Sequence, residues 1–270
     1  MKLTRSALTG LRARLHPRLL APLGSIALTV KRRERCTVRF RDGNWIHRYP
    51  TGAIVRPVLG GASARMVDDT TSETFLRHYR PRPGDTVVDL GAGVGTEARL
   101  LSRLAGPTGM VVCVEPHPRT FSCLQRTIAL NGLDNVIAVR CAIAGTSGTV
   151  FVEDTSDYNA NGITGEPGGV RVRAETLDDL VRRFGLDRID LLKMNIEGAE
   201  LAVLDAARDV LPRVRNLVVS CHDFKADRGG PHWQRTFGGV RALLTDAGYT
   251  LHARPPDARP WIPYYVYASR

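Results

Sequence analysis

The sequence predicts an α/β protein: a doubly wound, mostly parallel sheet preceded by a basic extension built from a helix and a β-hairpin. Three observations carry that expectation. From residue 86 onward, short apolar runs alternate with amphipathic stretches, the pattern of strands crossing over through helices. The first of these runs ends in a glycine-rich loop, DLGAGVGTE. The excess of positive charge is confined to the first 60 residues, where thirteen basic residues face only Glu34 and Asp42 and supply the whole net charge of +11.

The elements follow in order. TVVDL reads as a buried strand, and TEARLLSRLA opens the helix after it. A PTG turn leads to MVVCVE, a second strand, and PRTFSCLQRTIALNG is a helix stopped at Asn131-Gly132. VIAVRCAIA is the third strand; GTVFVED and GGVRVRAE are shorter β segments around a polar loop. TLDDLVRRFGL is amphipathic, with Thr176 and Asp179 spaced to cap it. IDLLKMN and NLVVSCH are the fourth and fifth strands, each followed by a helix, GAELAVLDAARDVL and then WQRTFGGVRALLTDAG. YTLHAR and YYVYAS close the chain as a hairpin, and RFRDGNWIHRYPTG reads as another near the start, with Trp45 packing.

Composition bounds the function. A chain of 270 residues with 43% hydrophobic and 24% charged residues is globular rather than disordered. The division expected is a basic extension over 1–60 and an α/β domain over 61–270. Cys36, Cys113, Cys123, Cys141 and Cys221 have no metal-finger spacing, so they read as reduced thiols of a cytoplasmic protein. LLAPLGSIALTV, Leu19 to Val30, is far shorter than the roughly 20 residues a membrane span needs, and no signal cleavage site is evident. Leu8, Leu11, Leu15 and Leu19 recur at helical spacing among Arg5, Arg12, Arg14 and Arg18. Residues 1–30 thus read either as a helix at an anionic membrane surface or as a solvated helix packed on the domain.

Sheets of this kind bind ligands at the carboxyl ends of their strands. Asp89, Gly91, Ala92, Gly93, Gly95, Thr96 and Glu97 form the loop after the first strand. Its third glycine comes one residue too early for a dinucleotide fingerprint. A tight turn of free amides ahead of the acid Glu97 suits an amino-acid zwitterion better than a pyrophosphate. Twenty residues beyond Gly95, Glu115 ends the second strand with Pro116 beside it, placed to accept both hydroxyls of a ribose. Ribose plus an amino-acid tail describes S-adenosylmethionine. Cys141 and Ala142, at the third strand end, offer apolar and backbone surface to its adenine.

With these motifs in place, the sequence resembles the FkbM family of S-adenosylmethionine-dependent methyltransferases. The resemblance runs from about Glu73 to His222 and rests on PGDTVVDLGAGVGTE, VEPHP, CAIAGTSGTVFV, ETLDDL and DLLKMNIEGAELAVL. The last is similar to the family's Lys-apolar-Asp-apolar-Glu-Gly-x-Glu signature, with Asn195 where the family shows aspartate. The resemblance implies a Rossmann-like class I methyltransferase sheet with its last strand reversed. It also implies methylation of hydroxyls on sugars, glycolipids or polyketide-type natural products.

Lys193, Asn195, Glu197 and Glu200 then lie at the mouth of the fourth strand, where donor and acceptor meet. An amide at 195 accepts hydrogen bonds but is neither a base nor a good metal ligand. His222, ending the fifth strand, reads first as the general base, and otherwise as a substrate or metal ligand or as a structural histidine, with Asp223 as its orienter or a cap. Glu197 is expected to face the pocket and Glu200 to serve the helix N-terminus. Magnesium at these strand ends is allowed by the residues but not required. Tyr158, Asn159 and Asn161, in the loop from Glu153 to Gly169, are candidate contacts on the acceptor side, an ordinary surface loop being the other reading. The remaining histidines show no convergent pattern. RNA as substrate is disfavoured by the confined basic charge and the absence of an Asn-Pro-Pro-aromatic motif; a binding module without catalysis and a homodimer through the hairpin are the other readings.

Overall fold

The structure, a computed structural model, describes residues 17–155, 161–164 and 168–270. Its centre is a seven-stranded sheet. In chain order its strands are β4 (Thr86–Leu90), β5 (Met110–Val114), β6 (Val136–Val139), β11 (Ile189–Met194), β12 (Val214–Ser220), β13 (Thr250–His252) and β14 (Tyr265–Ser269). Their spatial order is β13-β14-β12-β11-β4-β5-β6. β12, β11, β4, β5 and β6 pair in parallel, and β14 runs antiparallel to both of its neighbours. The order reverses between β4 and β11, opening the crevice in which open α/β sheets bind ligands.

Alternate residues of each strand supply opposite cores, as a period of two requires. Val88, Leu90, Leu192 and Met194 pack with α5 (Leu177–Phe184), α6 (Glu200–Ala206) and α8 (Phe237–Asp246), the single turn α7 (Asp223–Ala226) lying between the last two in the chain. Val87, Val111, Cys113 and Leu191 pack with α3 (Ala98–Ala105) and α4 (Pro118–Asn131). Local signals set the helix ends: Gly132 and Gly185 adopt left-handed C-caps. Thr176 and Asp179 form the reciprocal capping box, at 3.1 and 3.2 Å.

Two smaller sheets complete the fold. The expected third strand, VIAVRCAIA, is interrupted: β6 ends at Val139, and β7 (Ala142–Ile143) crosses into a four-stranded sheet ordered β7-β10-β8-β9. Here β8 is Gly148–Val152, β9 Ile163–Thr164 and β10 Val170–Glu175. Near the start of the chain, β1 (Thr37–Arg41), β2 (Asn44–Tyr49) and β3 (Gly52–Arg56) form an antiparallel sheet, one strand more than a hairpin. Asp42 and Gly43, both at positive φ, make the tight turn between its first two strands. Helix α1 (Pro17–Arg32) covers this sheet, and α2 (Ala64–Glu73) follows it. The sheet rests on α4, where Asn131 and Thr127 accept the Ala53 and Val55 amides at 2.8 and 3.1 Å. Trp45 packs here against Phe40, ring centroids 4.8 Å apart. His47 is buried and accepts from the Gly60 amide; burial, with Arg56 nearby, lowers its pKa to about 4.

Candidate active site

A cleft of about 880 Å³ opens at the carboxyl ends of β4, β5 and β11. One wall is the glycine loop. Gly91 stands at φ +77, and a Cβ there would come 2.0 Å from the Asn195 carbonyl oxygen. The close approach of the β4 and β11 ends, sealed by Asn195 N–H donating to Leu90 at 3.0 Å, therefore admits only glycine. Gly93, at φ +57, has no atom within 4 Å of where a Cβ would stand, so a ligand can approach its backbone closely.

Glu115 faces this loop across the cleft floor. Its Oε2 accepts from Gly93 N–H and its Oε1 from His117 N–H, each at 3.0 Å. Burial raises its pKa to about 7 against the pull of those amides. Each carboxylate oxygen keeps a lone pair for a further donor. Ala92, Thr96, Glu97, Pro116, Cys141 and Ala142 also line the cleft, as the sequence leads one to expect. Ile143, Val152, Ile163 and Ile196 add an apolar wall that sequence reasoning missed. Val152 and Ile163 reach it only because the small sheet folds over the cleft, which no local pattern signals.

Two expected cofactor residues lie elsewhere. Asp89 does not line the cleft; it is fully buried with its Oδ1 2.7 Å from Lys193 Nζ. The two residues are direct neighbours in the β4–β11 register. Burial opposes the charge on Lys193, and Asp89 more than offsets it, holding the ammonium above its ordinary pKa. Lys193 also donates to the Gly91 carbonyl at 3.0 Å and does line the cleft, so it braces the loop from beneath. Gly95 is likewise outside the lining: a Cβ there would stand 2.7 Å from Leu124 Cδ1, so its role is the contact of loop and α4.

The opposite wall carries Asn195 and Glu197. Glu197 is one of three described non-glycine residues at positive φ, at 60°, a conformation costing of order 1 kcal/mol and found disproportionately at functional sites. Lys225 donates to its Oε2, and His222 Nε2 lies 3.3 Å from its Oε1. Burial alone would raise its pKa, and these two partners hold it below the ordinary carboxylate value. Lys225 was not foreseen, lying 28 positions away with no motif to mark it.

His222 requires a correction as general base. It does not line the cleft and sits behind Glu197, with Nδ1 2.8 Å from Glu200 Oε1. Burial works against its charge, but hydrogen bonds to both glutamates raise its pKa to about 9. It therefore carries its proton at neutral pH and has no lone pair to offer. Glu200 is fully buried and also accepts from Gly198 N–H and Thr236 Oγ1. Asp223 accepts from the Thr236 and Phe237 amides at 3.0 Å, capping α8 rather than orienting His222. A divalent ion does not fit here: both His222 nitrogens face carboxylates and Lys225 already occupies Glu197. Among the described residues, no group of three or more metal-ligating side chains is assembled.

Of the acceptor-side residues, Asn161 lines the cleft, while Tyr158 and Asn159 lie outside the described residues. Asn161 Oδ1 accepts from the Thr155 amide at 3.1 Å, and Gly162 packs with its Cβ position 3.2 Å from Glu197 Cβ. Next to Glu197 lies a second, open groove of about 1600 Å³, mostly apolar, lined by Ile163, Gly198, Leu201, Trp233 and Leu243. Ile163 is common to both.

The strand order, the single reversed strand and a glycine loop facing a strand-end acid define a class I methyltransferase. Residues 89–251 match the Methyltransferase FkbM domain, and the chain belongs to that family of S-adenosylmethionine-dependent enzymes. It is similar to the hexuronic acid methyltransferase AglP of Haloferax volcanii, 28% identical over 68% of this chain and 81% of that one. It is also similar to the 2-O-methyltransferase NoeI of Sinorhizobium fredii, 24% identical over 53% and 65% of the two chains. The crystal structure of methyltransferase FkbM from Methylobacillus flagellatus superposes with a TM-score of 0.51 at 19% identity. The match covers 73% of this chain and 47% of that one, so this chain spans about half of that protein. The cleft fits the donor: open backbone at Gly93, two free acceptor positions on Glu115 and apolar surface at Cys141 and Ala142.

Proposed function

We propose that this protein transfers the methyl group of S-adenosylmethionine to a hydroxyl of a small molecule, a sugar, glycolipid or polyketide-type natural product. The observation that carries the reading is one cleft with a donor-shaped wall, Gly91–Gly93 and Glu115, and an ionised carboxylate, Glu197, opposite. When bound, the donor supplies an electrophilic methyl on a sulfonium. Glu115 would accept the ribose hydroxyls, the loop would receive the amino-acid part between Lys193 and Glu97, and Cys141 and Ala142 would lie under the adenine.

Alignment then does most of the work of an in-line displacement. Glu197 accepts the hydrogen bond of the acceptor hydroxyl, orients its oxygen, and takes its proton as the new C–O bond forms. His222 and Lys225 keep Glu197 ionised and fixed; His222 is a positioning residue. Asn195 and Asn161 offer amide groups to further acceptor hydroxyls. The names of AglP and NoeI, which specify a hexuronic acid and a 2-O position, support a hydroxylated acceptor. The apolar groove adjoining Glu197 supports one that also carries an apolar part.

The test is transfer of an isotope-labelled methyl from the donor to saccharide, glycolipid and polyketide fractions. Label entering an alkali-stable ether supports the reading. Tight donor binding with no label in any fraction, or label only in RNA, refutes it.

A further inference from the structure

Helix α1 turns an unbroken apolar face to solvent. Leu19, Leu23, Ile26 and Val30 recur at helical spacing and are between 57% and 73% exposed. Pro22 and Ala27 lie among them and are exposed as well, and no exposed residue of the helix from 19 to 30 is charged. A helix on a water-facing surface places its charged residues outward; this one does the reverse.

The opposite face is already committed. Ala21 and Leu28 are buried in one cluster with Val38, Ile46, Ile54 and Val55. Gly24 sits against Leu59, with a Cβ position 3.0 Å from Leu59 Cδ1. Ser25 Oγ accepts the Val38 amide at 2.8 Å, and Thr29 Oγ1 accepts that of Cys36 at 2.9 Å. Rolling the helix to hide its outer stripe would break all of these contacts, so the exposure is built in.

Charge identifies the occupant. Lys31, Arg33 and Arg35 continue from the end of the stripe and are exposed, as are Arg39 and Arg41 on β1 alongside. Of the nearby acids, Glu34 is half-buried and Asp42 is paired with Arg41 and Arg126 at 3.5 and 3.4 Å. A run of positive charge at the end of an apolar stripe matches a surface that is negative outside and apolar beneath. We propose that this face docks the protein on an anionic lipid surface, with Leu19, Leu23, Ile26 and Val30 entering the boundary between headgroups and acyl chains. The helix lies in the plane of that surface: no described helix is long and apolar enough to cross a membrane. A second copy of the chain would bring the same positive charge to the contact. The inference stands apart from the methyl-transfer reading and needs no acceptor.

The test is co-sedimentation of the full chain with vesicles of phosphatidylcholine alone or mixed with phosphatidylglycerol. Binding is expected to the mixed vesicles and to weaken as salt screens the basic run. Leu23→Asp with Ile26→Asp should lower the bound fraction at least about tenfold while leaving the melting temperature and donor affinity unchanged. Lys31, Arg33 and Arg35 changed together to Gln should remove the preference for anionic vesicles. Failure of the unaltered protein to bind, or equal binding by the doubly substituted one, overturns the proposal. A dimer in solution that the Asp substitutions dissociate, without vesicle binding, overturns it in favour of self-association.

Discussion

His222 Nε2 lies 3.3 Å from Glu197 Oε1, and this contact separates the residue that faces the cleft from the one that supports it. Replacing Glu197 with Gln keeps its shape and removes the charge. Turnover should fall by about 10²- to 10³-fold with donor affinity little changed. Single-turnover transfer and calorimetry measure the two; equal losses in both would return Glu197 to a structural role.

The His222 pKa, raised from 6.5 to about 9, sets a pH dependence of stability. A group protonated more readily in the folded state contributes stability that is fully present below its unfolded pKa and lost as pH rises through its folded one. The melting temperature should therefore decline by several degrees between about pH 7 and 9.5. His222→Gln should start lower and lose that decline. The rate should show no rise near pH 6.5 that His222→Gln abolishes, since an imidazole raised to about 9 does not lose its proton there.

Glu115, raised to about 7, works in the other direction for the ligand. In the free protein its carboxyl favours the neutral form, so stability is lost as pH rises between about 4.5 and 7. A ribose diol donating to the carboxylate favours the charged form. Donor affinity should thus strengthen from pH 6 to 8 and level off above. Glu115→Gln should weaken binding by about tenfold and flatten the pH profile, measured by calorimetry.

Lys193 and Asp89 are both buried, 2.7 Å apart. Lys193→Met leaves a buried carboxylate without its counter-charge, at a cost of about 3–5 kcal/mol. Adding Asp89→Asn should recover a large part of that loss. Urea denaturation of both variants checks the coupling; additive losses would mean the pair does not act as a unit.

The glycine loop offers a contrast between two neighbouring substitutions. Gly91→Ala drives a methyl into the Asn195 carbonyl at 2.0 Å and should abolish folding of the β4–β11 crevice. Gly93→Ala meets no atom and costs only the left-handed conformation, roughly 1 kcal/mol. It should stay folded yet bind donor weakly, because its methyl enters the cleft. Circular dichroism with calorimetry separates these outcomes.

Local pattern explains what was legible beforehand. The strands β4, β5 and β11 are apolar runs bounded by turn residues, so their ends, and with them Gly91, Gly93, Glu115 and Asn195, could be placed from period and spacing alone. The Thr176–Asp179 capping box is equally local. Where expectation and structure part, the deciding partner is distant in the chain. Asp89 borders the loop and so reads as a donor contact, but it meets Lys193 across the sheet. Gly95 follows the glycine pattern, but Leu124 claims it. VIAVRCAIA reads as one apolar run despite Arg140, yet pairing of β7 with β10 divides it there between two sheets.

The amino-acid order by itself determined the alternation of strands and helices, the glycine loop after the first strand and the excess of positive charge near the start, because each is read from neighbouring residues. Tertiary structure alone decided that His222 stands behind Glu197 rather than in the cleft, since His222 and Lys225, which follow β12, meet Glu197 and Glu200, which follow β11, only when the two strand ends lie side by side. It also decided which side of α1 is spent on the protein and which is left to the surroundings.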